Sequence, residues 1–125
     1  MAEKDLIYAE LTRQIIGAAL EIHNHLGGGF LESVYEIALE HEFSEQGIQY
    51  VRQKPPDVFY KKWMVKQFIC DYLVEDKVIV ELKAIKALTE VEKAQMINYL
   101  KAARLKVGLL INFGSLSLEY KRFVN

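Results

Sequence analysis

Two apolar runs near the middle of the chain, Phe68 to Val74 and Val78 to Ala84, have the length and composition of paired strands, yet they carry Asp71, Glu81 and Lys83. Side chains of this kind are almost never fully buried unless paired, and an isolated desolvated charge is costly enough that the group neutralises instead. The fold must therefore give these three groups a partner. A bound divalent cation together with a phosphate ester is one solution, and an ion pair of Lys83 with either acid is the competing one.

Strand geometry limits how the three can meet. Side chains alternate across a strand, so Ile79, Glu81 and Lys83 share one face while Val78, Val80 and Leu82 share the other. Residues directly opposed in an antiparallel pair lie on the same face, with β-carbons about 4.5 to 5.5 Å apart. Loop length then decides the outcome. A two-residue turn of Glu75 and Asp76 sets Asp71 opposite Val80 and points Glu81 to the other side of the sheet, whereas a loop of Glu75, Asp76 and Lys77 sets Asp71 opposite Glu81. The three-residue loop is predicted. Two carboxylates beside a lysine suit Mg²⁺ or Mn²⁺, which take one or two carboxylates, keep several waters and admit phosphate oxygens.

The rest of the chain frames this pair. Leu6, Leu11, Ile15, Ala19 and Ile22 predict a helix from Lys4 to Leu26, stopped by Gly27-Gly28-Gly29, and Leu31 to Gln46 predicts a second helix ending at Gly47. Strands are expected at Ile48–Gln53, stopped by Pro55-Pro56, at Asp57–Lys61, Met64–Val74 and Lys77–Ile85, and later at Val107–Phe113 and Leu118–Val124, the last as an edge. Thr89 with Glu92 is a capping box for a third helix, Thr89 to Arg104. This order predicts an α/β (α+β) domain with a mixed central sheet flanked by helices.

At 125 residues the chain is expected to form a single domain, with 51% hydrophobic and 26% charged residues as in ordinary globular proteins. The Met-Ala-Glu-Lys-Asp start offers no signal peptide, no apolar run reaches the ~20 residues of a membrane span, and Cys70 is the only cysteine, so a cytoplasmic protein is expected. A net charge of -1 argues against general polyanion binding and leaves only local basic patches, Lys61, Lys62 and Lys66 or Lys101, Arg104 and Lys106.

Two helices carry further candidates. Gly29-x-x-Glu32-x-x-Tyr35 places Glu32 and Tyr35 on one face at a helix start, and Gln95 and Tyr99 stand at i and i+4 on the third helix. A dipole-stabilised first-turn acid and a solvated polar face are the simpler readings of these pairs. Together with Asp71 and Glu81-Leu82-Lys83, they resemble the GxxExxY family, itself similar to the RecB-like branch of the PD-(D/E)XK nuclease superfamily. The resemblance runs from Ile16 to Val124 and is most specific over Leu26–Glu36, Val78–Ala84 and Lys106–Gly114.

The resemblance implies a restriction-endonuclease-like core and a metal-dependent nuclease acting on nucleic acid, with DNA as the expected substrate. It implies that Glu32, Asp71, Glu81 and the Leu82 carbonyl hold Mg²⁺ or Mn²⁺, that Lys83 is the catalytic lysine, and that Gln95, Tyr99, Tyr35 and His23 support the site or the substrate. Two departures stand out: Gly28 replaces a usual proline, and Ile69 replaces an arginine found in many relatives. A catalytically inactive binding module on the same fold is the alternative, and a homodimer through Leu118–Val124 or the first helix is a further possibility. Trp63, Tyr35 and Tyr72 are expected to pack in the core, leaving no evident stacking platform for single strands.

Overall fold

The computed structural model describes residues 7–53, 57–67 and 69–125. Helices α1 (Ala9–Leu26) and α2 (Glu32–Gln46) come first, followed by strands β1 (Tyr50–Arg52), β2 (Asp57–Tyr60), β3 (Trp63–Gln67), β4 (Tyr72–Val74) and β5 (Val78–Lys83). Helix α3 (Glu90–Ala103) and strands β6 (Val107–Asn112) and β7 (Glu119–Val124) complete the order. Five strands form one sheet in the order β1-β4-β5-β6-β7, and β2 with β3 forms a separate two-stranded sheet. Among the described residues only β5 and β6 pair in parallel, as a strand–helix–strand crossover through α3 requires. The sheet is mixed and flanked by helices, as its sequence predicted.

Alternation along the central strands divides the core into two layers. Val78, Val80 and Leu82 of β5, with Leu109 and Ile111 of β6, pack with Ile15, Ala19 and Ile22 of α1 and Tyr35, Leu39 and Phe43 of α2. Ile79 and Leu110 point the other way, towards Met96, Tyr99 and Leu100 of α3. Glu81 and Lys83 share the parity of Ile79, so they belong to the α3 side. Thr89 caps α3 by the predicted box: its hydroxyl accepts from the Val91 N–H at 3.2 Å, and Glu92 Oε1 accepts from the Thr89 N–H at 2.7 Å.

Several boundaries differ from expectation, three of them for a reason the backbone or the pairing gives. Helix α1 begins at Ala9 because Tyr8 adopts a left-handed backbone, φ 54, while Lys4 to Leu6 lie outside the described residues. Strand β1 ends at Arg52 because Gln53, φ 52, turns the chain; the expected stop at Pro55-Pro56 lies outside the described residues. The run Met64–Val74 is divided rather than continuous, since β3 pairs with β2 and only β4 pairs with β5. Its apolar pattern concealed a change of sheet, and Phe68 lies outside the described residues.

Candidate active site

The acidic pair forms where the β4–β5 ladder stops. The paired residues are Val74↔Val78, Leu73↔Ile79 and Tyr72↔Val80, so Glu75, Asp76 and Lys77 make the loop and the next opposed pair is Asp71 with Glu81. Glu75 and Asp76 take left-handed backbone, φ 52 and 56, and the Lys77 N–H closes the loop on the Val74 carbonyl at 2.9 Å. Asp71 lies in a bend, and side chains take over from the interrupted ladder. The Asp71 N–H donates to Glu81 Oε1 at 2.5 Å, and the Leu82 N–H donates to Asp71 Oδ2 at 2.7 Å. One oxygen of each carboxylate is thereby fixed by backbone, and each retains a second acceptor oxygen.

Burial sets the charge state of this pair. Glu81 is 5% exposed, and its carboxyl is pushed up to about 8, first by burial and then by the neighbouring Asp71. Asp71 is also raised by burial, against the lowering effects of the Leu82 N–H, Lys83 and Arg52. Glu32, in the first turn of α2, is raised by burial and by Asp71, while Lys83 lowers it, so all four groups feel one another. Among the described residues no ion pair joins Lys83 to either acid. The ion-pair solution is therefore not the one adopted; Lys83 contributes charge at longer range.

Helix α3 supplies the lid of this corner. Tyr99 is 9% exposed, and burial followed by Glu81 and Asp71 pushes its hydroxyl up to about 12. Gln95 stands one turn earlier and is exposed. Tyr35 and His23 act on the neighbouring turn. The Tyr35 hydroxyl donates to the Gly27 carbonyl at 2.6 Å and accepts from the Phe30 N–H at 3.2 Å, while its ring stacks on Phe113 with centroids 4.5 Å apart. His23 Nε2 hydrogen-bonds the Ser115 carbonyl at 3.1 Å. A β-carbon at Gly28 would stand 3.3 Å from the carbonyls of Phe113, Gly114 and Ser115, so glycine there lets the turn before Glu32 approach this segment.

Asn112 was missed as a contributor because a polar residue ending an apolar strand gives no signal of its own. It is fully buried, opposite Lys83 in the β5–β6 register. Its Oδ1 accepts from the Ile85 N–H at 3.0 Å and the Gly114 N–H at 3.1 Å. Its Nδ2 donates to the Ile85 carbonyl at 2.9 Å and to Glu119 Oε1 at 2.8 Å, and the same Glu119 oxygen accepts from the Leu88 N–H at 3.1 Å. The chain leaving Lys83 towards α3 is thus clamped on both backbone groups of Ile85.

Comparison with known proteins agrees with this architecture. The family model described as the PD-(D/E)XK nuclease superfamily matches residues 9–123. The chain belongs to the PD-(D/E)XK nuclease superfamily. A solved structure titled "Crystal structure of SSO0001" superposes with a TM-score of 0.59 at 12% identity, covering 98% of this chain and 61% of that one. At that identity the likeness is one of fold, and this chain spans about 61% of the length of that protein. No protein of curated function matches.

PD-(D/E)XK nucleases usually use divalent metals. The donors here are carboxylate oxygens in a buried corner, the chemistry of a hard cation, and a proton retained on Glu81 marks a charge that a cation would compensate. Among the described residues no group of three or more His, Cys, Asp and Glu side chains converges for metal binding. The Asp71 and Glu81 carboxylates fit a hard cation of the Mg²⁺ kind, which takes one or two carboxylates and keeps several waters. Glu32 approaches from the α2 layer, on the far side of the sheet from α3.

Proposed function

We propose that this protein is a metal-dependent nuclease that hydrolyses phosphodiester bonds, with DNA as its substrate, in the cytoplasm. The GxxExxY elements and their RecB-like kin support that finer placement. The observation that carries the reading is the closed Asp71–Glu81 pair, opposed by a three-residue loop and locked by the Asp71 and Leu82 N–H groups. Glu32, Asp71 and Glu81, with the Leu82 carbonyl, would hold Mg²⁺ or Mn²⁺.

When bound, such an ion lowers the pKa of water and stabilises charge on phosphoryl oxygens. Lys83 donates to a nonbridging oxygen of the scissile phosphate and orients the attacking water. The water's oxygen bonds to phosphorus as the bond to the leaving oxygen breaks; the water loses a proton and the leaving oxygen gains one. Gln95 and Tyr99 position the strand from α3.

The test is a cleavage panel with Mg²⁺ or Mn²⁺ on linear, nicked, single-stranded and branched DNA and on RNA. Wild-type cleavage is expected, and Glu81→Ala and Lys83→Ala should each lower the rate by about 10²- to 10³-fold, the scale of losing one electrostatic stabiliser. No cleavage across the panel, or cleavage indifferent to both substitutions, would favour a non-catalytic binding module.

A further inference from the structure

The β2–β3 hairpin places aromatic rings in water. Tyr60 and Trp63 are directly opposed across the hairpin, with ring centroids 6.3 Å apart and planes 18° from parallel. They are 59% and 57% exposed, whereas Tyr35 and Tyr72 of the main core are fully buried. Trp63 was expected in the core, and it is not there. Phe59, Met64 and Val65 are each more than half exposed as well. A patch of this kind on a two-stranded sheet adds little to its own stability and marks an interaction surface.

Its charge identifies the partner. The two-residue turn between the strands is Lys61-Lys62, whose ammonium groups lie 5.3 Å from the Tyr60 ring centroid and 6.0 Å from the Trp63 centroid. Behind the tip, a cavity of about 600 Å³ separates the hairpin from the end of α3, lined by Asp57, Phe59, Lys66, Asn98, Lys101 and Arg104 among others. Among the described residues, the cavity lining holds Lys66, Lys101 and Arg104 against one acid, Asp57, and the tip adds Lys61 and Lys62, in a chain whose net charge is -1. Stacking rings interleaved with lysines match bases joined by phosphates. They do not match a second copy of the same basic patch, which would repel it.

We propose that the β2–β3 hairpin and the adjoining end of α3 bind a single-stranded segment of the nucleic acid substrate, with bases on Tyr60 and Trp63 and phosphates on Lys61, Lys62, Lys66, Lys101 and Arg104. This rests on the nuclease reading only for the word substrate. The same helix α3 carries Tyr99 beside Glu81 and Asp71, so a strand gripped at its end is continuous with the site along one rigid element.

The experiment measures fluorescence anisotropy of a labelled single-stranded DNA of about 16 nucleotides in EDTA, where metal-dependent cleavage cannot proceed. Wild type should bind; Trp63→Ala should weaken binding about tenfold and Trp63→Phe should restore most of it, because any π-face supports stacking. Lys61→Ala with Lys62→Ala should reduce the salt slope by about 0.7 per lysine removed. Ile37→Ala, at an exposed position of α2 outside both sites, should bind like wild type, and circular dichroism confirms that each variant is folded. Binding indifferent to the hairpin substitutions, no binding by wild type, or a Trp63→Ala change confined to sedimentation, as for a self-association face, would each overturn the proposal. Hairpin-dependent binding without metal-dependent cleavage would instead overturn the catalytic reading alone.

Discussion

Glu81 is where the chemistry of this fold and its stability oppose each other. Its carboxyl titrates at about 8 in the folded protein against 4.5 as a free side chain. The folded state therefore retains a proton that the unfolded chain releases, and stability from this group is complete at low pH and declines as pH rises from about 4.5 to about 8. The groups facing it act in both directions: Asp71 and Glu32 raise its pKa and Lys83 lowers it. Burial raises Asp71 and Glu32 too, so their effect on stability has the same sign. Urea unfolding of the metal-free protein should show falling stability across this interval. Glu81→Gln, which keeps an acceptor for the Asp71 N–H without a charge, should flatten most of that fall. An unchanged slope in the variant would place the charge elsewhere.

At the scale of elements, the segment joining β5 to α3 is held by β6 and by the turn after it. A β-carbon on Gly114 would lie 2.3 Å from the Ile85 carbonyl oxygen, 2.4 Å from its nitrogen and 2.6 Å from the Ala84 carbonyl carbon, all backbone atoms that cannot swing aside. Gly114→Ala should therefore destabilise the protein by about 1 to 3 kcal/mol, the usual cost of overpacking, and displace the exit from Lys83. Chemical denaturation reads the first effect, and a loss of cleavage in protein that remains folded reads the second. The Lys106–Gly114 stretch was legible as a motif, yet its role as a clamp was not, because it depends on which backbone lies across from Asn112. The β4–β5 register was legible, since period-two alternation and one loop length decide it. The break between β3 and β4 was not, for a continuous apolar run pairs equally well with either neighbour.

Across the whole molecule, the acidic corner draws on both layers, with Glu32 from α2, Asp71 and Glu81 from the sheet, and Tyr99 from α3. Sequence alone named these residues, but their spacing depends on how two helices dock on opposite faces, which strand and helix periodicity do not encode. The exposure of Tyr60 and Trp63 was hidden for the same reason: an aromatic at strand spacing looks the same whether a second layer covers it or not. Convergence from several elements also means that a cation bound there must stabilise their mutual packing. A ligand that binds only the native state raises stability by RT ln(1 + [L]/Kd), about 2.7 kcal/mol at a hundredfold excess over Kd. Mg²⁺ or Mn²⁺ should accordingly raise the thermal midpoint of wild type by several degrees, more at pH 8 than at pH 6, because the ion must displace the proton on Glu81. Asp71→Asn should lose this response. Lys83→Ala should keep it or strengthen it, since removing a nearby positive charge favours cation binding. A midpoint unmoved by metal in wild type, or a shift that survives Asp71→Asn, would refute the ion site while leaving the fold as described.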